Sequence, residues 1–259
     1  MEVQIKKAIK AGNSSAVILP RYWLNKEVRV EIVKKSNEKI LHETLEILKK
    51  YIDLKDIIGV YLIGSYARDE EDEYSDIDIL VITSNVDREM ISEGIYNIFV
   101  VSRVLINQKL NQDLLPIGQM IKEAKPLLNK YYLNSINIKV KKNNIKWYLN
   151  TTTDKLRIIK KIINKTKNSN KKYIHDRIIY TLVLRIRTLH IIKKLLKNEN
   201  YSKKEFIRII TKLSGITAYY RYLAVKNNSR EKSEITVDKV EILYKYLNSR
   251  LEEIKKLIR

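Results

Sequence analysis

Val60-Tyr61-Leu62-Ile63-Gly64-Ser65-Tyr66-Ala67-Arg68, followed after a polar stretch by Ser75-Asp76-Ile77-Asp78-Ile79-Leu80-Val81, is the part of the sequence that decides the fold. The two apolar runs, 57–63 and 77–82, read as buried strands, and the acidic segment 64–75 as their connection. Alternate side chains of a strand share a face, so Asp76 and Asp78 are expected to point the same way while Ile77 and Ile79 face the core. Two carboxylates side by side repel, and a divalent cation such as Mg²⁺ relieves this while bridging the oxygens of a nucleoside triphosphate. Gly64 lets the backbone approach phosphates closely, and Ser65 offers a hydroxyl and an amide. A short helix from Ser65 onward would aim its first amides at the β and γ phosphates. The competing reading is a strand-turn-strand whose aspartates only cap a loop.

The stretch GSYARDEEDEYSDIDILV, residues 64–81, resembles the glycine-serine and paired-aspartate signature of the DNA polymerase β superfamily of nucleotidyltransferases, close to the small bacterial and archaeal type. The resemblance spans residues 37–130. It implies that Gly64 and Ser65 bind the triphosphate, and that Asp76 and Asp78 are catalytic and hold Mg²⁺. Arg68 falls where such enzymes often carry an arginine, either for phosphate or to pair with the acidic cluster Asp69–Glu73, itself read as a solvated loop. The implied activity moves a nucleoside monophosphate from NTP to a hydroxyl acceptor, which could be an RNA end, a protein tyrosine or a small molecule. The family usually supplies a third carboxylate from a later strand. Here Ile98–Val104 contains no acid, and Glu93, Asp113 and Glu123 lie around it without fitting. A catalytically weak nucleotide- and DNA-binding regulatory protein therefore stays open as the alternative.

Outward from this segment, Ile40, Leu41, Leu45, Leu48 and Ile52 recur at helical spacing after Ser36 and Asn37, predicting a helix over 37–52. Further on, the pattern predicts a helix over 87–95, a strand over 98–105, a helix over 113–122 and a short strand over 124–128. This order suits an α+β fold, a polymerase-β-like sheet with flanking helices. Residues 134–150 lack strong periodicity and mark a boundary. Beyond them helices are expected over 152–167, 172–197, 203–213, 215–227 and 237–258. The expected organisation is a small β module over 1–35, a nucleotidyltransferase domain over 36–138 and an all-α basic domain over 139–259.

Residues 2–33 alternate in the strand period around Gly12-Asn13-Ser14, which predicts about three short strands. AGNSSAVILPRYWLNKEVRVEIV resembles the swapped-hairpin module of AbrB/SpoVT-type proteins. That resemblance implies a homodimer through residues 1–33 and DNA binding; the alternative is a hairpin that extends the next sheet.

The formal charge is +21 over 259 residues. Its distribution is uneven: residues 1–138 carry 19 Lys and Arg against 20 Asp and Glu, and residues 139–259 carry 32 against 10. Such an excess attracts a polyanion, RNA or DNA, unless the lysines only solvate helix faces. Cysteine is absent, which excludes disulfides and thiolate sites, and only three histidines are present, which argues against a histidine-built zinc site, so the metal expected is a hard cation held by oxygen. No apolar run reaches the length of a membrane span and the start has no signal-peptide pattern, so the reading is cytoplasmic. Arg185 and His190 have the arginine, four residues, histidine spacing of HEPN-type ribonucleases, against which stands a plain helix-face histidine. Tyr219 and Tyr222 could stack on bases or pack on neighbouring helices.

Overall fold

The computed structural model describes the chain except residues 1, 2, 7, 32–34, 73, 74, 170, 171, 230–234 and 259. Near the N-terminus β1 (Ile9–Ala11) and β2 (Ser14–Ala16) form an antiparallel hairpin, a two-stranded sheet of its own. Of the three strands expected there, the segment around Val28 is not a strand in the described residues, and Ile32 lies outside them. A helix α1 (Asn37–Leu48) follows, its first turn capped by Ser36, whose Oγ accepts from the Lys39 amide.

A five-stranded sheet comes next. It contains β3 (Ile57–Ile63), then the one-turn helix α2 (Gly64–Ala67), β4 (Ile77–Thr83), β5 (Ile91–Glu93) and β6 (Tyr96–Ser102). Helices α3 (Arg103–Gln112) and α4 (Ile117–Glu123) precede its last strand, β7 (Lys125–Leu128). The strand order is β5-β6-β4-β3-β7, with β4 and β6 parallel and the other pairs antiparallel. Where a helix was expected over 87–95, the chain instead turns at Gly94 (φ 59°) to form the β5–β6 hairpin. Only glycine takes that left-handed backbone at no steric cost. The strand expected to reach 105 stops at Ser102, because the Ser102 hydroxyl caps α3 by accepting from the Leu105 amide.

The remainder is helical: α5 (Lys130–Ser135), α6 (Lys142–Asn168), α7 (Asp176–Leu196), α8 (Lys203–Ser214), α9 (Ile216–Lys226) and α10 (Val237–Leu257). Helix α6 starts ten residues before its expected position. Buried Asn144 explains this: its amide donates to Leu110 O and Lys139 O while its oxygen accepts from the Lys141 amide, fixing the first turn against α3.

The period-two pattern divides the sheet cleanly. Val60, Leu62, Ile77, Ile79, Val81, Ile98 and Val100 pack with Ile40 and Leu48 of α1 on one face. Tyr61, Ile63, Leu80 and Ile82 face the other way, into a core shared with α3, α4 and the C-terminal helices. Each fully buried Leu or Ile in these layers contributes roughly 1.5–3 kcal/mol. Even-numbered positions of β4 and odd-numbered positions of β6 thus share the face covered by α3, α4 and the C-terminal helices, which is where Asp78 and Asn97 belong.

Candidate active site

The site is built at the end of β3. Ile63 pairs with Asp78 across β3 and β4, and Gly64 leaves the strand at φ 71°. A Cβ at Gly64 would drive into the Asp78 carboxylate, so glycine is required both by backbone conformation and by close approach. Gly64 and Ser65 open α2, and the Gly64 amide donates to Glu123 Oε1 at 3.0 Å.

Asp78 is half-buried and Asp76, one residue before β4, is exposed. Burial pushes the Asp78 carboxyl above its ordinary value, and the charges of Asp76 and Glu123 push it further, against a hydrogen bond from Asn97 and the charge of Arg68. Asp76 is therefore near enough to disfavour the ionised form of Asp78. Among the described residues, no group of three or more His, Cys, Asp and Glu is placed to hold a metal jointly. A hard cation beside Asp76 and Asp78 would relieve the charge that raises Asp78.

The position beside Asp78 on the parallel strand is Asn97. Its Nδ2 stands 3.5 Å from Asp78 Oδ1 while its Oδ1 accepts from Ser92 Oγ at 2.9 Å. Sequence reading looked for an acid from Ile98 onward and overlooked this residue, although 97 shares the strand period of 99 and 101. Of the three acids considered, Glu93 binds Lys50 and Tyr51, and Asp113 binds Tyr148 and Lys109. Only Glu123 reaches the turn, and it is buried there.

Arg68 sits one residue beyond α2. Its Nη1 donates to Glu123 at 2.7 Å, its Nε to Glu70 at 3.1 Å, and its guanidinium lies 5.6 Å from the ring centre of Tyr201. The acidic cluster is thus not simply a solvated loop. The Glu70 side chain is enclosed against the start of α8, Asp69 pairs with Lys125, and Glu73 lies outside the described residues.

The other sequence candidates separate. Arg185 donates to Thr151 and stacks over Trp147, whereas His190 packs against Tyr201 and Phe206 and lines a cavity of about 170 Å³ with Lys194 and Glu205. The two side chains thus have separate sets of neighbours. Tyr219 and Tyr222 are buried, Tyr222 stacking on Tyr180, so they pack as helix-interface residues.

Residues 41–198, well over half of the chain, match the Nucleotidyltransferase domain family. The chain belongs to that family. The nucleotidyltransferase match runs from α1 through the sheet to α7 and includes the glycine turn and both aspartates. No curated protein shows a match to this sequence. Solved structures similar to it include a nucleotidyltransferase-like protein from Exiguobacterium sibiricum 255-15, at 12% identity, 83% coverage of this chain, 75% of that chain and a TM-score of 0.38. Another is spectinomycin adenyltransferase AAD(9) from Enterococcus faecialis with ATP and spectinomycin, at 14% identity, 82% and 99% coverage and a TM-score of 0.40. Both likenesses are weak, and membership rests on the family match. No described helix is long and apolar enough to cross a membrane.

Proposed function

We propose that this nucleotidyltransferase transfers a nucleoside monophosphate from NTP to a hydroxyl acceptor with Mg²⁺, and that residues 36–138 carry the chemistry. The observation that carries the reading is the seating of Asp78 against Gly64, with Asp76 close enough to raise its pKa. Mg²⁺ held by Asp76 and Asp78 would neutralise triphosphate charge at the bond that breaks. Gly64 and Ser65 would take the phosphates at the turn, and Arg68 would keep its cation beside them. The acceptor oxygen attacks the α-phosphorus, the bond to the β-phosphate breaks, pyrophosphate leaves, and the proton of the hydroxyl passes to solvent. Such substrates place the protein's work in the cytoplasm.

The basic region 139–259 would position a nucleic-acid acceptor. Helix α6 carries eight Lys and Arg against one acid, and its solvent face shows Lys146, Trp147, Arg157, Lys161 and Lys165. That stripe suits a phosphate backbone with an aromatic ring beside it. Within residues 1–33, Val3, Ile5, Ile18, Leu24 and Val30 are exposed, an apolar load that an AbrB-like homodimer would cover.

The deciding experiment supplies each α-labelled NTP with Mg²⁺, cellular RNA and lysate protein, and asks what becomes labelled. Labelling lost in both Asp76→Ala and Asp78→Ala supports transfer; labelling retained in both rejects it. Asn97 beside Asp78 favours a second reading, a nucleotide- and DNA-binding regulator with little turnover, because an amide cannot take the acceptor's proton. Salt-sensitive DNA binding without turnover, unaffected by the aspartate substitutions and abolished by deleting residues 1–33, would select it.

A further inference from the structure

The segment after the glycine turn reaches into the helical region. Glu70 accepts from Ser202 Oγ at 2.6 Å, from the Lys203 amide at 2.9 Å and from the Lys204 amide at 3.3 Å, and so caps the start of α8. The same carboxylate accepts from Arg68 Nε, whose guanidinium donates on its other side to Glu123, which in turn accepts from Gly64 N. An unbroken path of charged hydrogen bonds therefore runs from the α8 N-terminus to the backbone amide of the turn. Its three charged side chains are enclosed: Arg68, Glu70 and Glu123 retain 13%, 7% and 5% of their side-chain exposure.

Charge-assisted hydrogen bonds in such surroundings are short and strong, and a buried charge that loses its partner is costly. Moving one member alone would therefore cost its partners a charge-assisted hydrogen bond. A shift of α8 that released Glu70 would leave Arg68 with one carboxylate instead of two, and Glu123 would readjust against Gly64.

We propose that Glu70 is a positioning residue through which α8 sets the geometry of the Gly64 turn. The functional meaning rests on the reading of that turn as the triphosphate site, but the coupling can be measured without nucleotide. It gives the helical region a direct mechanical means of making the turn competent, so that an acceptor bound to the helices would be felt where the phosphates sit.

The chain has only six glycines, so selective ¹⁵N-glycine labelling of the full-length protein isolates the Gly64 amide. In Glu70→Gln, which keeps an oxygen for α8 but removes the charge facing Arg68, the Gly64 resonance should move and its amide exchange on the order of tenfold faster. Gly12 and Gly94, remote from the path, should not change. Arg68→Lys, unable to span both carboxylates, should act in the same direction. Folded variants in which Gly64 is unmoved by both substitutions overturn the proposal, and reduce Glu70 to a staple that affects melting temperature alone. Titrating ATP with Mg²⁺ into the wild type and following the same resonance tests the nucleotide reading separately. A saturable shift supports it, and Glu70→Gln should then weaken the fitted affinity on the order of fivefold. Absence of any shift rejects the nucleotide reading, while the response of Gly64 to the two substitutions still decides the coupling.

Discussion

Asp78 and Asn97 stand side by side on the parallel strands β4 and β6, the amide Nδ2 3.5 Å from the carboxylate Oδ1. A carboxylate in place of that amide would give a hard cation a third anionic oxygen. We expect Asn97→Asp to raise Mg²⁺ affinity on the order of tenfold and to increase transfer. Isothermal titration with Mg²⁺, alongside the labelling assay, checks this; an unchanged affinity would show that residue 97 does not face the ion.

Asp78 is held in a setting that disfavours its charge, burial first and the neighbouring carboxylates second. Its raised pKa means that the folded metal-free protein loses stability as Asp78 ionises with rising pH. Asp78→Asn should therefore raise the stability of the metal-free protein by about 1 kcal/mol at neutral pH while abolishing transfer. Denaturant unfolding in the presence of a chelator measures the difference, and a destabilised variant would contradict the account.

Glu70 behaves oppositely. Burial alone would raise its carboxyl, but the hydrogen bonds from Ser202, the Lys203 amide, Arg68 and the Lys204 amide prevail and hold it at about 2, from an ordinary 4.5. A depressed folded pKa gives stability that is complete above the unfolded value and is lost as pH falls through the folded one. The stability advantage of wild type over Glu70→Gln should thus be constant near neutrality and shrink between pH 4.5 and about 2. Unfolding curves over this range check it, and a gap independent of pH would show that charge is not the cause.

On α6, Lys161 and Lys165 are exposed on the stripe that also carries Trp147. Reversing both to Glu should weaken RNA binding and reduce the slope of log affinity against log salt by about one for each phosphate that is no longer neutralised. Fluorescence anisotropy with a single-stranded RNA at several salt concentrations measures this. Binding to anionic lipid vesicles in place of RNA would assign the stripe to a membrane surface.

Much of this architecture was legible because the apolar periods are strong. The strands at 57–63 and 77–83 and the C-terminal helices fall within a few residues of where spacing puts them, α6 excepted. Asn144 moved the start of α6 by a tertiary bond to α3 that no local pattern announces. The helix expected over 87–95 failed because the chain turns at Gly94 to pair β5 with β6. In the site, Gly64 and Asp78 were visible as a motif, whereas Glu70 and Glu123 were not. Their partners lie 132 and 59 residues away in sequence, at Ser202 and Gly64, so their roles exist only in the folded chain.

One continuous core joins Tyr61, Ile63 and Leu80 of the sheet to Leu182, Leu189 and Leu243 of the helices. A seam of greasy side chains that long cannot be cut and rejoined to a foreign tail without exposing both sides. Removing the helices would uncover the face of the sheet that carries Tyr61, Ile63 and Leu80.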